Sequence, residues 1–308
     1  MSETWILVCN DDGIEAPGLL TLVSALQQRG WGVVVYAPSE ECSAASMHLT
    51  LRTDIRYRCR SELLELMELD SDGIEPILYS IDGMPADCLI LAIDGLLEAN
   101  GHPLPRLCIS GLNRGPNMSV DVLHSGTVAA AREAALYGLP AIASSLTTFD
   151  SVSFQGAAAA TVSIVDAVFE WLPATPPALH RPASSRTPHN SSLDRDVTGS
   201  LRTAFLNGDM YLNLNIPPDW HGGWRTTRLG ARWYEGAAHV EVESGICRIG
   251  AVRIIDDAIE DGESMATDAG FASITPLATW PQSHPLNIGD DRLSLARLSR
   301  DTGLPAWL

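Results

Sequence analysis

The chain has 308 residues and a formal net charge of −18, from 20 basic and 38 acidic side chains. It is long enough to bury a full core, and its charge has the wrong sign for extended contact with DNA, RNA or an anionic membrane. All 20 basic residues are arginine, so there is no Schiff-base lysine, no P-loop lysine and no lysine partner for a receiver-like phospho-acceptor aspartate.

The remaining composition narrows the class further. Hydrophobic residues make up 45% of the chain, yet no apolar run reaches membrane-spanning length. Met1-Ser2-Glu3-Thr4 is unlike the basic start of a signal peptide. The six cysteines are scattered without a CxxC pair, so buried free thiols are expected rather than zinc ligands or a disulfide framework. These features predict a soluble, cytoplasmic protein.

The first predicted element is a short buried strand, Trp5 to Cys9, followed by Asn10-Asp11-Asp12-Gly13. Ala16 to Arg29 carries Leu19, Leu22, Val23 and Leu26 at helical spacing and ends near Gly30. Gly32 to Ala37 reads as a second buried strand, Pro38 to His48 as a polar loop, and Leu49 to Cys59 as an extended edge segment or a hairpin. Then come a strand (Ile77 to Ile81), a helix (Ala86 to Leu97), a strand (Arg106 to Ser110), a Gly/Asn/Pro-rich loop (Gly111 to His124) and a helix (Ser125 to Tyr137). Ala141 to Leu146 is a strand and Ser153 to Leu172 a long helix. This alternation predicts an α/β, Rossmann-like fold with a doubly wound, mostly parallel sheet over residues 1–172.

The rhythm then breaks. Residues 173–200 are rich in Pro, Ser, Thr and Arg and read as a flexible insertion. Residues 201–308 resume with the alternating strand Tyr211 to Ile216, further strands over Arg225 to Tyr234, Ala238 to Val242 and Phe271 to Leu277, and a final segment of some helical character. They form a β-rich C-terminal extension. Asp256, Asp257 and Asp261 read as a solvated acidic stretch.

Four segments fall where a strand gives way to the next element, the place where open α/β sheets bind ligands. Asp11 and Asp12 are adjacent carboxylates that either cap the following helix or share a divalent cation. Ser43-Ala44-Ala45-Ser46 supplies hydroxyls after strand two. Ile109 to Asn117 supplies glycines for close approach and the amides of Asn113 and Asn117. Ser125-Gly126-Thr127 opens a helix whose unpaired N–H groups suit an anion, Ser125 alone also serving as an ordinary cap. Together they suit a metal and a phosphate.

These pieces resemble the SurE family, the survival-protein nucleotidases, phosphatase-like enzymes that hydrolyse nucleoside monophosphates. The matching segments are Asn10 to Ile14 with Ala16 to Gly18, Ala37-Pro38 with Ser43 to Ser46, Gly83 to Cys88, Ile109 to Asn113 with Gly115 to Asn117, Ser125 to Ala131, Leu212 to Pro217, and Ser273 to Leu277. The resemblance implies Mg²⁺ or Mn²⁺ held by Asp11, Asp12, Ser43 and Asn113. It implies catalysis centred on Asp11 and Asp12, with phosphate contacts from Asn10, Asn117, Ser125, Gly126 and Thr127. It also implies a C-terminal extension exchanged between subunits of a homodimer or homotetramer. Two departures stand out: the 173–200 insertion, and Glu263 and Phe271 at altered positions before and after Gly270, expected to bear on oligomer geometry and substrate range rather than hydrolysis.

The implied reaction is in-line attack on phosphorus, either by water or by Asp11 itself, with developing charge held by the helix start and Asn117. His124 is either a proton donor to the leaving group or a residue that only supports the site from behind or lies exposed in the loop; the latter pair is preferred. A non-catalytic metal and nucleotide sensor on the same fold is the alternative.

Overall fold

The computed structural model describes residues 4–150, 152–179, 196–250 and 253–308. In chain order the first part contains β1 (Trp5–Cys9), α1 (Pro17–Gln28), β2 (Gly32–Pro38), β3 (Tyr57–Cys59), β4 (Ile77–Ile81), α2 (Pro85–Leu91) and α3 (Leu97–Ala99). There follow β5 (Leu107–Arg114), α4 (Asp121–His124), α5 (Gly126–Leu136), β6 (Ala141–Leu146), α6 (Gln155–Phe169), α7 (Val197–Leu206) and β7 (Met210–Ile216). The chain closes with β8 (Trp224–Thr226), β9 (Ala231–Glu235), β10 (Ala238–Glu241), β11 (Ile246–Ile249), β12 (Arg253–Asp257), α8 (Glu263–Asp268), β13 (Ala272–Ala278) and α9 (Asp290–Ala296).

A nine-stranded sheet in the order β3-β4-β2-β1-β5-β6-β7-β13-β8 organises the molecule. Its centre, β4-β2-β1-β5-β6-β7, is parallel throughout. β3 runs antiparallel on one edge, and β13 pairs antiparallel with β7 before β8 closes the other. This is the expected α/β, mostly parallel architecture with added antiparallel strands from the C-terminal part.

Strand alternation explains the three layers. Ile6 and Val8 face one side, where α1 packs through Leu19, Leu22, Val23 and Leu26 and α6 through Ile164, Val165 and Val168. Trp5, Leu7 and Cys9 face the other, against Cys88 and Leu89 of α2 and Val128, Ala131 and Ala135 of α5. Each fully buried aliphatic side chain contributes roughly 1.5–3 kcal/mol, so a strand apolar on both faces is stable only at the centre of such a stack. Gly30, at φ +95°, stops α1 just past its end and returns the chain to β2.

The connectivity places the site. The chain winds outward from β1 through β2 to β4, then returns to β5 on the opposite side of β1. The topological switch point therefore lies between β1 and β5, whose carboxyl ends carry Asp11, Asp12 and Asn113.

Several boundaries differ from expectation. β5 extends to Arg114 through a register shift between Ser110 and Asn113, so the Gly/Asn-rich segment is part strand, part loop and part helix α4. Only Tyr57–Cys59 of the 49–59 stretch pairs with the sheet. The single strand expected over 225–234 is two, because Thr227 to Gly230 leaves the main sheet. Most of the expected insertion, residues 180–195, lies outside the described residues, while helix α7 already begins at Val197. Beyond the sheet, the ribbons β9–β12 and β10–β11 form an arm that exposes Trp233, Val240, Val242, Ile249 and Ile254. No helix among the described residues is long and apolar enough to cross a membrane.

Candidate active site

Asn10, Asp11 and Asp12 occupy the turn that leaves β1. Asn10 is fully buried and its Nδ2 donates to the Gly13 carbonyl at 2.9 Å, so its amide braces the turn rather than reaching outward. Its Oδ1 has no donor among the described residues. Neither aspartate caps α1: the N-cap residue is Ala16, without a side-chain hydrogen bond, and Pro17 opens the helix. The capping alternative is thereby removed.

The strand's alternation persists past its end. Asp11, 4% exposed, turns toward α5 and accepts a hydrogen bond from the Thr127 hydroxyl. Asp12 turns toward α1, and its Oδ2 accepts the Arg114 backbone N–H at 3.0 Å. The two carboxylates still feel each other's charge. Burial is the main cause holding the Asp11 carboxyl above its ordinary value, opposed by the Thr127 hydroxyl and by backbone N–H groups that include those of Gly126 and Thr127. Asp12 is pushed up to about 6, first by burial, then by the charge of Asp11, with Glu41 adding to it. Neither acid lies within ion-pair distance of an arginine or histidine among the described residues.

Of the other predicted residues, Gly126 and Thr127 lie against Asp11, and Ser43 lines a cavity with Asp12. Ser125 is the N-cap of α5, its hydroxyl oxygen accepting the Val128 N–H at 3.0 Å, which leaves its own O–H hydrogen to donate. Gly126 is where α5 meets the acids: a Cβ there would lie 2.7 Å from Asp11 Cβ and 2.9 Å from its Oδ2. The start of α5 thus holds Asp11 first, which assigns Thr127 a part different from the direct phosphate contact expected of it. Ser43 is exposed and donates to Glu41 at 2.7 Å. It lines one cavity of about 300 Å³ with Asp12, Glu41, Arg114, Phe149 and Phe154. The same loop touches Asp11, whose carbonyl accepts the Cys42 N–H at 2.7 Å. Asn113 is half-buried and donates to the Gly115 carbonyl at 2.8 Å, so its amide nitrogen is engaged and its amide oxygen is the atom left to accept. His124 is exposed, as preferred, and its carbonyl receives the Ser46 N–H at 2.9 Å.

Asn117 is the most heavily braced of the set. Its Nδ2 donates to Ser145 Oγ at 2.7 Å. Its N–H reaches Asn215 Oδ1 at 2.8 Å, and its carbonyl accepts the amides of Asn213 and Asn215 at 2.8 and 3.0 Å. Asn213 and Asn215 share one face of β7 because they are two residues apart. Their motif was legible in the sequence, but their role as a clamp on Asn117 was not.

The donor set suits a hard dication. The carboxylates are those of buried Asp11 and half-buried Asp12, the charge of Asp11 raising the proton affinity of Asp12; neutral oxygens of Ser43 and Asn113 belong to the flanking segments, and among the described residues only the more distant Arg114 charge favours ionised Asp12. Among the described residues no group of three or more His, Cys, Asp or Glu is placed to hold a metal, so any ion here relies on this two-carboxylate, neutral-oxygen chemistry.

The family model described as Survival protein SurE matches residues 6–236. The chain is 36% identical over 278 residues to the 5′-nucleotidase SurE of Alkalilimnicola ehrlichii, covering 88% of each chain. It is 34% identical over 278 residues to the 5′-nucleotidase SurE of Syntrophotalea carbinolica, covering 88% of this chain and 90% of that protein. The crystal structure of the SurE protein from Aquifex aeolicus superposes with a TM-score of 0.60 at 26% identity, covering 94% of this chain and 96% of the other. With the motifs, the switch-point site and these matches in agreement, the chain belongs to the SurE family.

Proposed function

We propose that this protein is a divalent-metal-dependent nucleotidase that releases phosphate from nucleoside monophosphates. The observation that carries the reading is the adjacent acids at the switch point, Asp11 buried against the start of α5 and Asp12 half-buried beside it, with no arginine or histidine within ion-pair distance among the described residues. Mg²⁺ or Mn²⁺ would be held by Asp11, Asp12, Ser43 and Asn113; when bound, it neutralises phosphate charge and polarises the scissile P–O bond.

The protein's own groups then divide the work. Thr127 and the N-terminus of α5 donate to Asp11 and oppose the protonation that its burial favours. The Arg114 N–H fixes Asp12. The Ser125 hydroxyl and the second hydrogen of the Asn117 amide are the donors left to meet the phosphoryl oxygens, where charge spreads in the transition state. The rigid clamp on Asn117 means that donor need not reorganise as the reaction proceeds.

The exposed apolar arm supports a homo-oligomer, with Trp233, Val242 and Ile249 covered by a second copy. All six cysteines are unpaired, which suits a reducing, cytoplasmic compartment. The test is phosphate release from a panel of phosphomonoesters, including AMP and p-nitrophenyl phosphate, across several divalent metals with and without EDTA. EDTA-sensitive release from nucleoside monophosphates is expected. Tight nucleotide binding without release would replace the enzyme by a sensor.

A further inference from the structure

Glu263, at the start of α8, is fully buried and lies 144 residues along the chain from the site loop it touches. Its Oε2 accepts the backbone N–H groups of Ser119 at 3.0 Å and Gly230 at 3.2 Å. Its Oε1 accepts the Thr275 hydroxyl at 3.2 Å and the Asn213 amide at 3.5 Å. Among the described residues no arginine or histidine lies within ion-pair distance of it. One carboxylate thus gathers donors from the site loop, the base of the arm, β13 and β7.

Two of those donors lead straight to Asn117. Asn213 Nδ2, besides facing Glu263, donates to the Asn117 carbonyl at 2.8 Å. Ser119, two residues on, sits at φ +53°, a conformation non-glycine residues adopt only when their surroundings hold them there. Glu263 holds its N–H, while its hydroxyl donates to the Gly230 carbonyl and accepts the Arg232 N–H, both at 2.9 Å. The loop from 117 to 119 is therefore fastened to the arm base and α8, not only to the core.

We propose that Glu263 is a positioning residue for the phosphate site: its carboxylate fixes the Asn117–Ser119 loop, so that the junction between core and arm sets where the Asn117 amide points. This rests on the reading of Asn117 as a phosphate contact. Glu263 itself touches neither phosphate nor metal ligand, so its loss should weaken phosphate binding while sparing the cation. Glutamine keeps the side chain's shape but replaces one acceptor oxygen by an NH₂ that meets donors, so it should loosen the loop without emptying the space.

The test compares wild type, Glu263→Gln and Glu263→Ala in the full-length, Mn²⁺-loaded protein at pH 8. It measures KM for AMP, the inhibition constant of inorganic phosphate, and Mn²⁺ affinity. The proposal expects KM and the phosphate constant to rise together, at least fivefold in Glu263→Gln and more in Glu263→Ala, with Mn²⁺ affinity within twofold of wild type. If Glu263→Ala does not fold, Glu263→Gln decides alone. Unchanged phosphate binding overturns the proposal, and so does parallel loss of Mn²⁺ and phosphate, which would mark Glu263 as a support of the whole fold. A wild type that hydrolyses no phosphomonoester would fail the nucleotidase reading instead, and wild-type phosphate affinity, measured directly, would still be compared with that of the variants.

Discussion

Gly126 lets the start of α5 pack directly against Asp11, and Gly126→Ala tests whether the reaction depends on that approach. A methyl group there would lie 2.7 Å from Asp11 Cβ, 2.9 Å from Asp11 Oδ2 and 3.1 Å from Pro85 Cγ. Carbon atoms pack best at about 3.5–4.0 Å, so the contact must open by about 1 Å. The Asp11 backbone is anchored through its carbonyl to Cys42, which leaves the carboxylate to move. A displacement of that size at a reacting group costs on the order of 10²-fold in rate. Stability should change less, because overpacking costs about 1–3 kcal/mol while replacing glycine in a helix returns up to about 1 kcal/mol. The assay is kcat/KM on AMP with Mn²⁺, beside a thermal melt. Gly156→Ala is the control: it lies in the first turn of α6 with nothing within 4 Å of the added methyl, and it should keep full activity. A Gly126→Ala enzyme within threefold of wild type would refute the argument that the α5 start sets Asp11.

Three further outcomes follow from the same geometry. Asp12→Asn should abolish turnover with the fold intact, seen as a native circular dichroism spectrum without phosphate release. Thr127→Val removes the hydroxyl that donates to Asp11 and should lower kcat about 10-fold or more, in line with the roughly 1.5–3 kcal/mol of a hydrogen bond to a charged group. The carboxyl of Glu263 is held at about 7, against 4.5 for a free side chain, by burial first, with the charge of Asp121 adding to it. The folded state therefore keeps this proton to higher pH than the unfolded chain, so the residue costs stability progressively as pH rises from about 4.5 to about 7. Glu263→Gln should accordingly be more stable relative to wild type at pH 8 than at pH 4.5, by about 3 kcal/mol in denaturant melts, even while it weakens phosphate binding. A difference independent of pH would contradict this.

Residues whose roles are set by local chain geometry were legible in the sequence. The apolar run Trp5 to Cys9 had to be a central strand, and the turn after it had to sit at the sheet's carboxyl edge. That is enough to place Asp11 and Asp12, and the cap signal at Ser125 places the start of α5. Pairings set by distant parts of the chain were not legible. Nothing in Asn213-Leu214-Asn215 says that its two amides close on the Asn117 carbonyl. Nothing in the run around Glu263 says that this acid, expected to bear on oligomer geometry, would be buried against Ser119. Nor does local sequence reveal that the start of α5 grips Asp11, since that depends on how closely Gly126 lets the helix approach.

If a dication held by Asp11 and Asp12 is what stabilises their ionised forms, cation binding must depend on both acids. Electron paramagnetic resonance titration of free Mn²⁺ against wild type and Asp12→Asn addresses it directly. One Mn²⁺ site per chain is expected in the wild type, lost in Asp12→Asn, with AMP hydrolysis rising in step with its occupancy. Undiminished Mn²⁺ binding in Asp12→Asn, or hydrolysis that proceeds at full rate with the site empty, would contradict it.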